Sequence, residues 1–438
     1  MIKYIKLLFV NKLLKSTIIY TIGDIIGKGI PFILLPIVAR YLTPSDYGIL
    51  TNFGVVSQIF IAFCALNTYS ALSVSFFEHK NNNSLSSYIS NLVYLIALLS
   101  VFILVISSIF SNTIQQYLGI SRLWQILALI TASSTAIFSL YTSLLRMQNR
   151  IYLFSGFQIF QSFISAILAI LFVVVLKWSW EGRVLSIVIA ATLTLIIILW
   201  LLKYEHYIFK KINISEIKNA FIFGIPLLPH TLSFWFKSGV DKIILTNYIS
   251  LSANGVYSIA LTLGGIISIF TGSFFNAYSP LMFKDLSLID LLSVNEGIII
   301  KKKLVKITYI FTALLLIVCI CSYYILKFII PILFSKEYLD ALQLLPLLLT
   351  TLFFEGMYSI ISGYIFYRKK TKVLGAITFL SSISQIFITL FFVKHIGIMG
   401  AVYSSCIVSI ITFLSVFTFA NTLYDLPWSL QSRSDSLS

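Results

Sequence analysis

Six charged side chains fall inside long apolar runs. Asp24 and Lys28 lie in one run, Lys237, Asp241 and Lys242 in a second, and Glu355 in a third. An ionised group at the middle of a bilayer costs about 2.5–3.5 kcal/mol on insertion scales, so each needs either a partner or a function. Asp24 and Lys28 are four residues apart, as are Lys237 and Asp241, which puts each pair on one helix face. Two roles fit: neutralisation at a helix–helix contact, or the lining of a water-filled route for a polar solute. The concentration of charge in two runs favours the second. Lys28, Lys237, Lys242 and Arg40 are then the candidate contacts for an anion. Asp24, Asp241 and Glu355 are the candidate ion-pair partners or carriers of a coupling cation. His230 could carry a proton, although a neutral, hydrogen-bonded histidine is the simpler reading, and Lys242 sits near enough to a run end to reach the interface by its stem. Proline marks the same runs, with Pro31 and Pro36 in the first and Pro226 and Pro229 in the second. Interior proline removes a backbone hydrogen bond, so both helices are expected to kink there.

Other chemistry has no residues to support it. Cys64, Cys319, Cys321 and Cys406 all lie in apolar runs without zinc-type spacing, and His79, His206, His230 and His395 are scattered. No phosphate-binding loop, nucleophile elbow or HExxH stretch occurs. No metal and no cofactor is expected, and an ATP-driven pump would need its ATPase from another chain.

The elements that must carry these residues follow from composition. Of 438 residues 59% are apolar and 11% charged, against about 25% charged in soluble domains. The chain reads as an all-α polytopic membrane protein. Twelve runs are long enough to span a bilayer, at roughly 16–40, 48–72, 88–110, 123–145, 151–176, 184–202, 219–246, 254–278, 304–329, 341–366, 373–393 and 398–420. Lysine and arginine number 31; Lys28, Lys237 and Lys242 are inside spans, and the other 28 divide 21 to 7 between the two sides. The positive-inside rule then places both termini in the cytoplasm. The expected divisions are a cytoplasmic surface segment (1–15), an N-terminal six-helix bundle (16–202), a cytoplasmic linker (203–218), a C-terminal six-helix bundle (219–420) and a cytoplasmic tail (421–438). A second connection, 279–303, holds Asp285, Asp290, Glu296 and Lys301–Lys303 and reads as a solvated amphipathic linker.

The two bundles look related. At an offset of 207, Tyr41, Ser45 and Gly48 meet Tyr248, Ser252 and Gly255; at 218, Gly182, Val184 and Ser186 meet Gly400, Val402 and Ser404. Six spans per half makes the repeat parallel. Charged and proline-bearing first spans in both halves point to the substrate-lining elements of a transporter.

The stretches LLPIVARYLTPSDYGIL (34–50) and VDKIILTNYISLSANGVYSIAL (240–261), with the basic inner loops RMQNR (146–150) and YRKKTK (367–372), resemble the Wzx-type O-antigen and polysaccharide flippases of the multidrug/oligosaccharidyl-lipid/polysaccharide exporter superfamily. The resemblance implies two six-helix bundles around a central cavity in the bacterial inner membrane. It implies transport of an undecaprenyl-diphosphate-linked oligosaccharide, such as an O-antigen repeat unit of lipopolysaccharide biosynthesis, from the cytoplasmic to the periplasmic leaflet. Alternating access would drive the cycle, with H+ or Na+ as candidate coupling ion. Membrane lipids and the polysaccharide polymerase machinery are the implied partners, and nucleic acid is not. The competing readings are a cation-coupled multidrug exporter of the same superfamily and a membrane polymerase or ligase; the latter needs a long outer loop that this sequence lacks.

Overall fold

The computed structural model describes residues 23, 26–27, 29–76, 82–208, 210–289 and 294–428, and all regular structure among them is helical. In chain order the helices are α1 (Gly29–Ala39), α2 (Pro44–Ala65), α3 (Thr68–Ser75), α4 (Asn82–Ile109), α5 (Ser111–Leu118), α6 (Arg122–Met147), α7 (Ile151–Ala169), α8 (Ser179–Tyr204), α9 (Ile214–Gly224), α10 (Leu228–Tyr248), α11 (Leu251–Gly264), α12 (Ile266–Ile289), α13 (Val294–Leu333), α14 (Ala341–Tyr367), α15 (Thr371–Ile396) and α16 (Ile398–Tyr424). Ten segments among the described residues are long and apolar enough to cross a membrane. They coincide with the expected spans 2–6 and 8–12. The other two expected spans open the two halves. Span 1 is described from its centre onward, as α1, and span 7 is interrupted, as α9 and α10 joined by a 3-10 turn at Ile225–Leu227.

Two compact units form. The first runs to Ser258 and takes in the turn Leu333–Glu337; the second holds Ile259–Ile332 and the chain from Tyr338 onward. Lipid tails are as apolar as leucine, so close packing over small residues holds membrane helices together. In the first unit Ala128, Ala132 and Ala136 repeat every fourth residue of α6, and α2, α4 and α8 pack against that helix. Leu92, Ile96, Leu140, Val184 and Ile198 fill the space around them. Leu98, Phe102, Val105 and Ile109 of α4 stay exposed at helical spacing, a face for acyl chains.

The connection from α8 to α9 is fastened to α4. The Tyr94 hydroxyl donates to the Lys210 carbonyl (3.0 Å), Lys210 N–H to Ser90 Oγ (3.1 Å) and Asn213 N–H to Asn91 Oδ1 (2.9 Å). Asn91 Nδ2 donates in turn to Glu216 (2.9 Å). Nearby, Arg150 pairs with Glu205. Burial alone would lower the Arg150 pKa, but the hydrogen bond and charge of Glu205 hold it above its ordinary value.

In the second unit α12 and α16 flank α14, and α15 packs on α16. Phe311, Leu315, Ile360 and Tyr364 form the centre of its core. The structure corrects the reading of 279–303 as a solvated linker. Helix α12 continues to Ile289 and α13 begins at Val294. Asp285 is buried and paired with Lys303 at 2.7 Å. The 40 residues of α13 span about 60 Å, twice the hydrocarbon thickness of about 30 Å. Hydropathy registers the apolar centre of such a helix and misses its polar ends. Asp290 lies outside the described residues.

Candidate functional site

The first unit places the starts of α2 and α11 against each other. Thr43 caps α2: its Oγ1 accepts from Asp46 N–H at 3.2 Å, and Asp46 Oδ2 accepts from Thr43 N–H at 3.0 Å, a capping box that the Thr-Pro-Ser-Asp run dictates. Ser250, 207 residues on, does the same work for α11, its Oγ accepting from Ala253 N–H at 3.1 Å. One turn further in, the two equivalent glycines meet the opposite helix. A Cβ on Gly48 would overlap the Leu251 carbonyl, and a Cβ on Gly255 would overlap the Pro44 carbonyl. Pro44 and Leu251 are themselves 207 apart. Residue i therefore meets j while j's equivalent meets i's, the mark of a local two-fold, and the sequence match at this offset corresponds to a physical contact.

Behind the glycines lies a buried polar seam. Asn52 and Asn254 are both 0% exposed. Asn254 Nδ2 donates to Asn52 Oδ1 (2.9 Å) and to Thr246 Oγ1 (3.1 Å), while Asn52 Nδ2 donates to the Leu118 carbonyl at the end of α5 (2.9 Å). Ser258 Oγ donates to Asn254 Oδ1 at 3.0 Å. Beside it, Asp241 is 2% exposed and accepts from the buried Tyr257 hydroxyl at 3.0 Å. Lys237 and Lys242, both half-buried, lie on the same helix as Asp241. The seam thus joins α2, α5, α10 and α11 and holds one buried carboxylate with an ammonium group four residues before it and another next to it.

The interruption in the charged helix is built with equal care. Gly224 lets α9 close on the Leu66 carbonyl. There α2 also breaks: Leu66 and Asn67 both hold positive φ, 38° and 55°, a strained arrangement for two residues with side chains. Asn67 Nδ2 donates to Thr231 Oγ1 at 3.3 Å, so the two interruptions are tied together. Pro226 lies in the 3-10 turn and Pro229 in the first turn of α10, whereas α1 runs on through Pro31 and Pro36.

Of the residues selected from sequence, Lys237, Asp241 and Lys242 stand together on α10. Asp24 and Lys28 lie outside the described residues, as does the side chain of His230. Arg40 is exposed in the turn after α1 and donates from Nε to the Leu333 carbonyl at 2.8 Å. Glu355 is half-buried on α14 of the second unit. Sequence reasoning missed Asn52, Asn254 and Tyr257. Their signal was position: each follows a repeat-matched glycine within four residues or adjoins it. The expected spans 151–176 and 184–202 left Arg183 in the loop between them, whereas that residue sits in the second turn of α8.

The profile of the family described as polysaccharide biosynthesis protein matches residues 13–285, well over half of the chain. The chain belongs to that family. Two relatives come from Haemophilus influenzae. An Lsg locus protein is 22% identical over 92% of this chain and 98% of its own length. A second, described as an uncharacterized membrane protein, is 22% identical over 89% of this chain and 94% of its own. Among solved structures, an inward-facing MATE multidrug resistance transporter of the MOP superfamily aligns with a TM-score of 0.69 at 14% identity, over 94% of this chain and 99% of that one. The lipid II flippase MurJ aligns with a TM-score of 0.66 at 18% identity, over 95% and 87%. These likenesses give the family member the twelve-helix, two-lobe transporter fold. The two solved neighbours of this fold are themselves a multidrug resistance transporter and a lipid II flippase.

Proposed function

We propose that the protein is a flippase that carries an undecaprenyl-diphosphate-linked oligosaccharide from the cytoplasmic to the periplasmic leaflet of the inner membrane by alternating access, with both termini cytoplasmic. Two things support the reading: membership of the polysaccharide biosynthesis family, and a polar seam carrying lysines on the interrupted helix α10. The seam carries the argument. A diphosphate cannot enter hydrocarbon, and amino groups beside a carboxylate can replace part of its hydration. Lys28 and Arg40 complete the proposed anion route, and Asp24, Asp241, Glu355 and His230 are the proposed ion-pair partners or carriers of H+ or Na+.

The MATE likeness favours one alternative, cation-coupled drug export. Expression in a strain that lacks its own polysaccharide flippase separates the two. The flippase reading expects restored surface polysaccharide, and its loss in Lys237→Gln/Lys242→Gln and in Asp24→Ala/Lys28→Ala at unchanged membrane abundance. Resistance to cationic dyes without restored polysaccharide would instead establish the exporter.

A further inference from the structure

Arg183 is a cation built into the first unit that neither the fold nor the route above uses. It is half-buried in the second turn of α8. Nη1 donates to Ser165 Oγ on α7 and to Ser186 Oγ on its own helix, each at 3.0 Å. Ser186 in turn donates to the Arg183 carbonyl at 2.7 Å, which fixes its hydroxyl. The ionisable group within electrostatic reach is the phenol of Tyr47 on α2, itself buried. No carboxylate among the described residues pairs with Arg183, whereas Arg150 of the same unit is paired with Glu205. The two serines use both hydrogens of Nη1. That leaves the Nε–Nη2 edge of this half-buried side chain, which makes no hydrogen bond to a described residue. This edge presents two parallel N–H groups, the fork that grips a phosphate or carboxylate.

The repeat supplies an internal control. At the offset of 218 Gly182 matches Gly400, and each closes on a phenylalanine of the preceding helical segment, Phe172 and Phe392. Ser186 matches Ser404, which bonds to Thr389 at 2.7 Å. The residue matching Arg183 is Ala401, fully buried. The same helix start is therefore made in the second unit without any charge, so packing does not require the guanidinium. Its depth points the same way. Arg183 lies four residues, about 6 Å, into a helix of about 39 Å, at the end that the lysine and arginine asymmetry places outside. Ser186 and Ser165, which hold the guanidinium, lie further from the outer ends of their helices than Arg183 does, so the charge stands at or below the boundary between headgroups and acyl chains, where a cation without an anion is costly.

The geometry points to an oxyanion subsite at Arg183, held by Ser165 and Ser186, that takes the phosphate of a membrane lipid. It depends on the flippase reading only for which lipid supplies that phosphate. The test is native mass spectrometry of the full-length protein in detergent, with undecaprenyl diphosphate, dioleoyl phosphatidylglycerol and neutral undecaprenol as probes. Wild-type protein is expected to bind undecaprenyl diphosphate more tightly than undecaprenol. Arg183→Gln should weaken diphosphate binding about tenfold, because it removes a charge-assisted, two-pronged grip on phosphate, and leave undecaprenol binding unchanged. Arg183→Lys and Ser165→Ala keep the charge but not the oriented fork. They should fall in between, and they carry the test if the glutamine variant does not fold. Arg183-dependent binding of phosphatidylglycerol without binding of the diphosphate would keep the subsite and remove the flippase reading. Equal binding of both phosphate probes by wild type and variants, including no binding by any, would overturn the subsite whatever the surface polysaccharide phenotype.

Discussion

The contact between Gly48, Gly255 and the opposite carbonyls is the most exacting feature of the first unit. Any side chain there drives a carbon into a carbonyl oxygen. Overpacking of this kind costs about 1–3 kcal/mol. Gly48→Val and Gly255→Val are expected to lower the unfolding temperature of the detergent-solubilised protein by several degrees. Gly54→Ala, on the same helix but facing open space, should leave it unchanged. Equal behaviour of all three would show that the two helix starts do not meet. Sequence made these glycines legible because the match at 207 included them. The asparagines beside them were not legible as a network, since an asparagine in an apolar run reads alike whether it faces a neighbour or a cavity. Arg183 was misread for a related reason: a charge next to Trp178 and Trp180 marks an apparent span end, and hydropathy cannot tell that the helix has already begun four residues earlier.

Elements were more legible than residues where a helix breaker announces the event. Gly224 and Pro226 fall at the interruption of span 7. The matching interruption of span 2 carries neither glycine nor proline, yet Leu66 and Asn67 both hold positive φ there. Gly224 docks on that same strained carbonyl, so the two breaks depend on each other. Gly224→Val should separate them and reduce surface polysaccharide in the complementation strain at least as strongly as Pro226→Ala, which leaves the Leu66 contact in place. Protein abundance in the membrane fraction checks that insertion is intact. A Gly224→Val variant with wild-type polysaccharide would show that the docked breaks have no part in transport. The ends of α12 and α13 were illegible for a different reason. Beyond the acyl layer a helix needs no apolar run, and buried Asp285 is accommodated by Lys303 rather than by lipid.

At the scale of the whole molecule, composition and run length already required a polytopic helical membrane protein, because 11% charge cannot cover a water-soluble chain of this size. The number of spans was legible from apolar runs and agrees with the twelve-helix fold of the solved neighbours. The nature of the cargo was not, since lysines beside a carboxylate describe an anion and not a particular sugar. Reconstitution decides it most directly. Purified protein is placed in proteoliposomes carrying fluorescent undecaprenyl-diphosphate-linked oligosaccharide, and the label accessible to an impermeant quencher is followed with time. The account predicts protein-dependent exchange of label between leaflets, slowed in Lys237→Gln/Lys242→Gln. Exchange no faster than in empty liposomes, from protein that still moves a cationic dye, would contradict it.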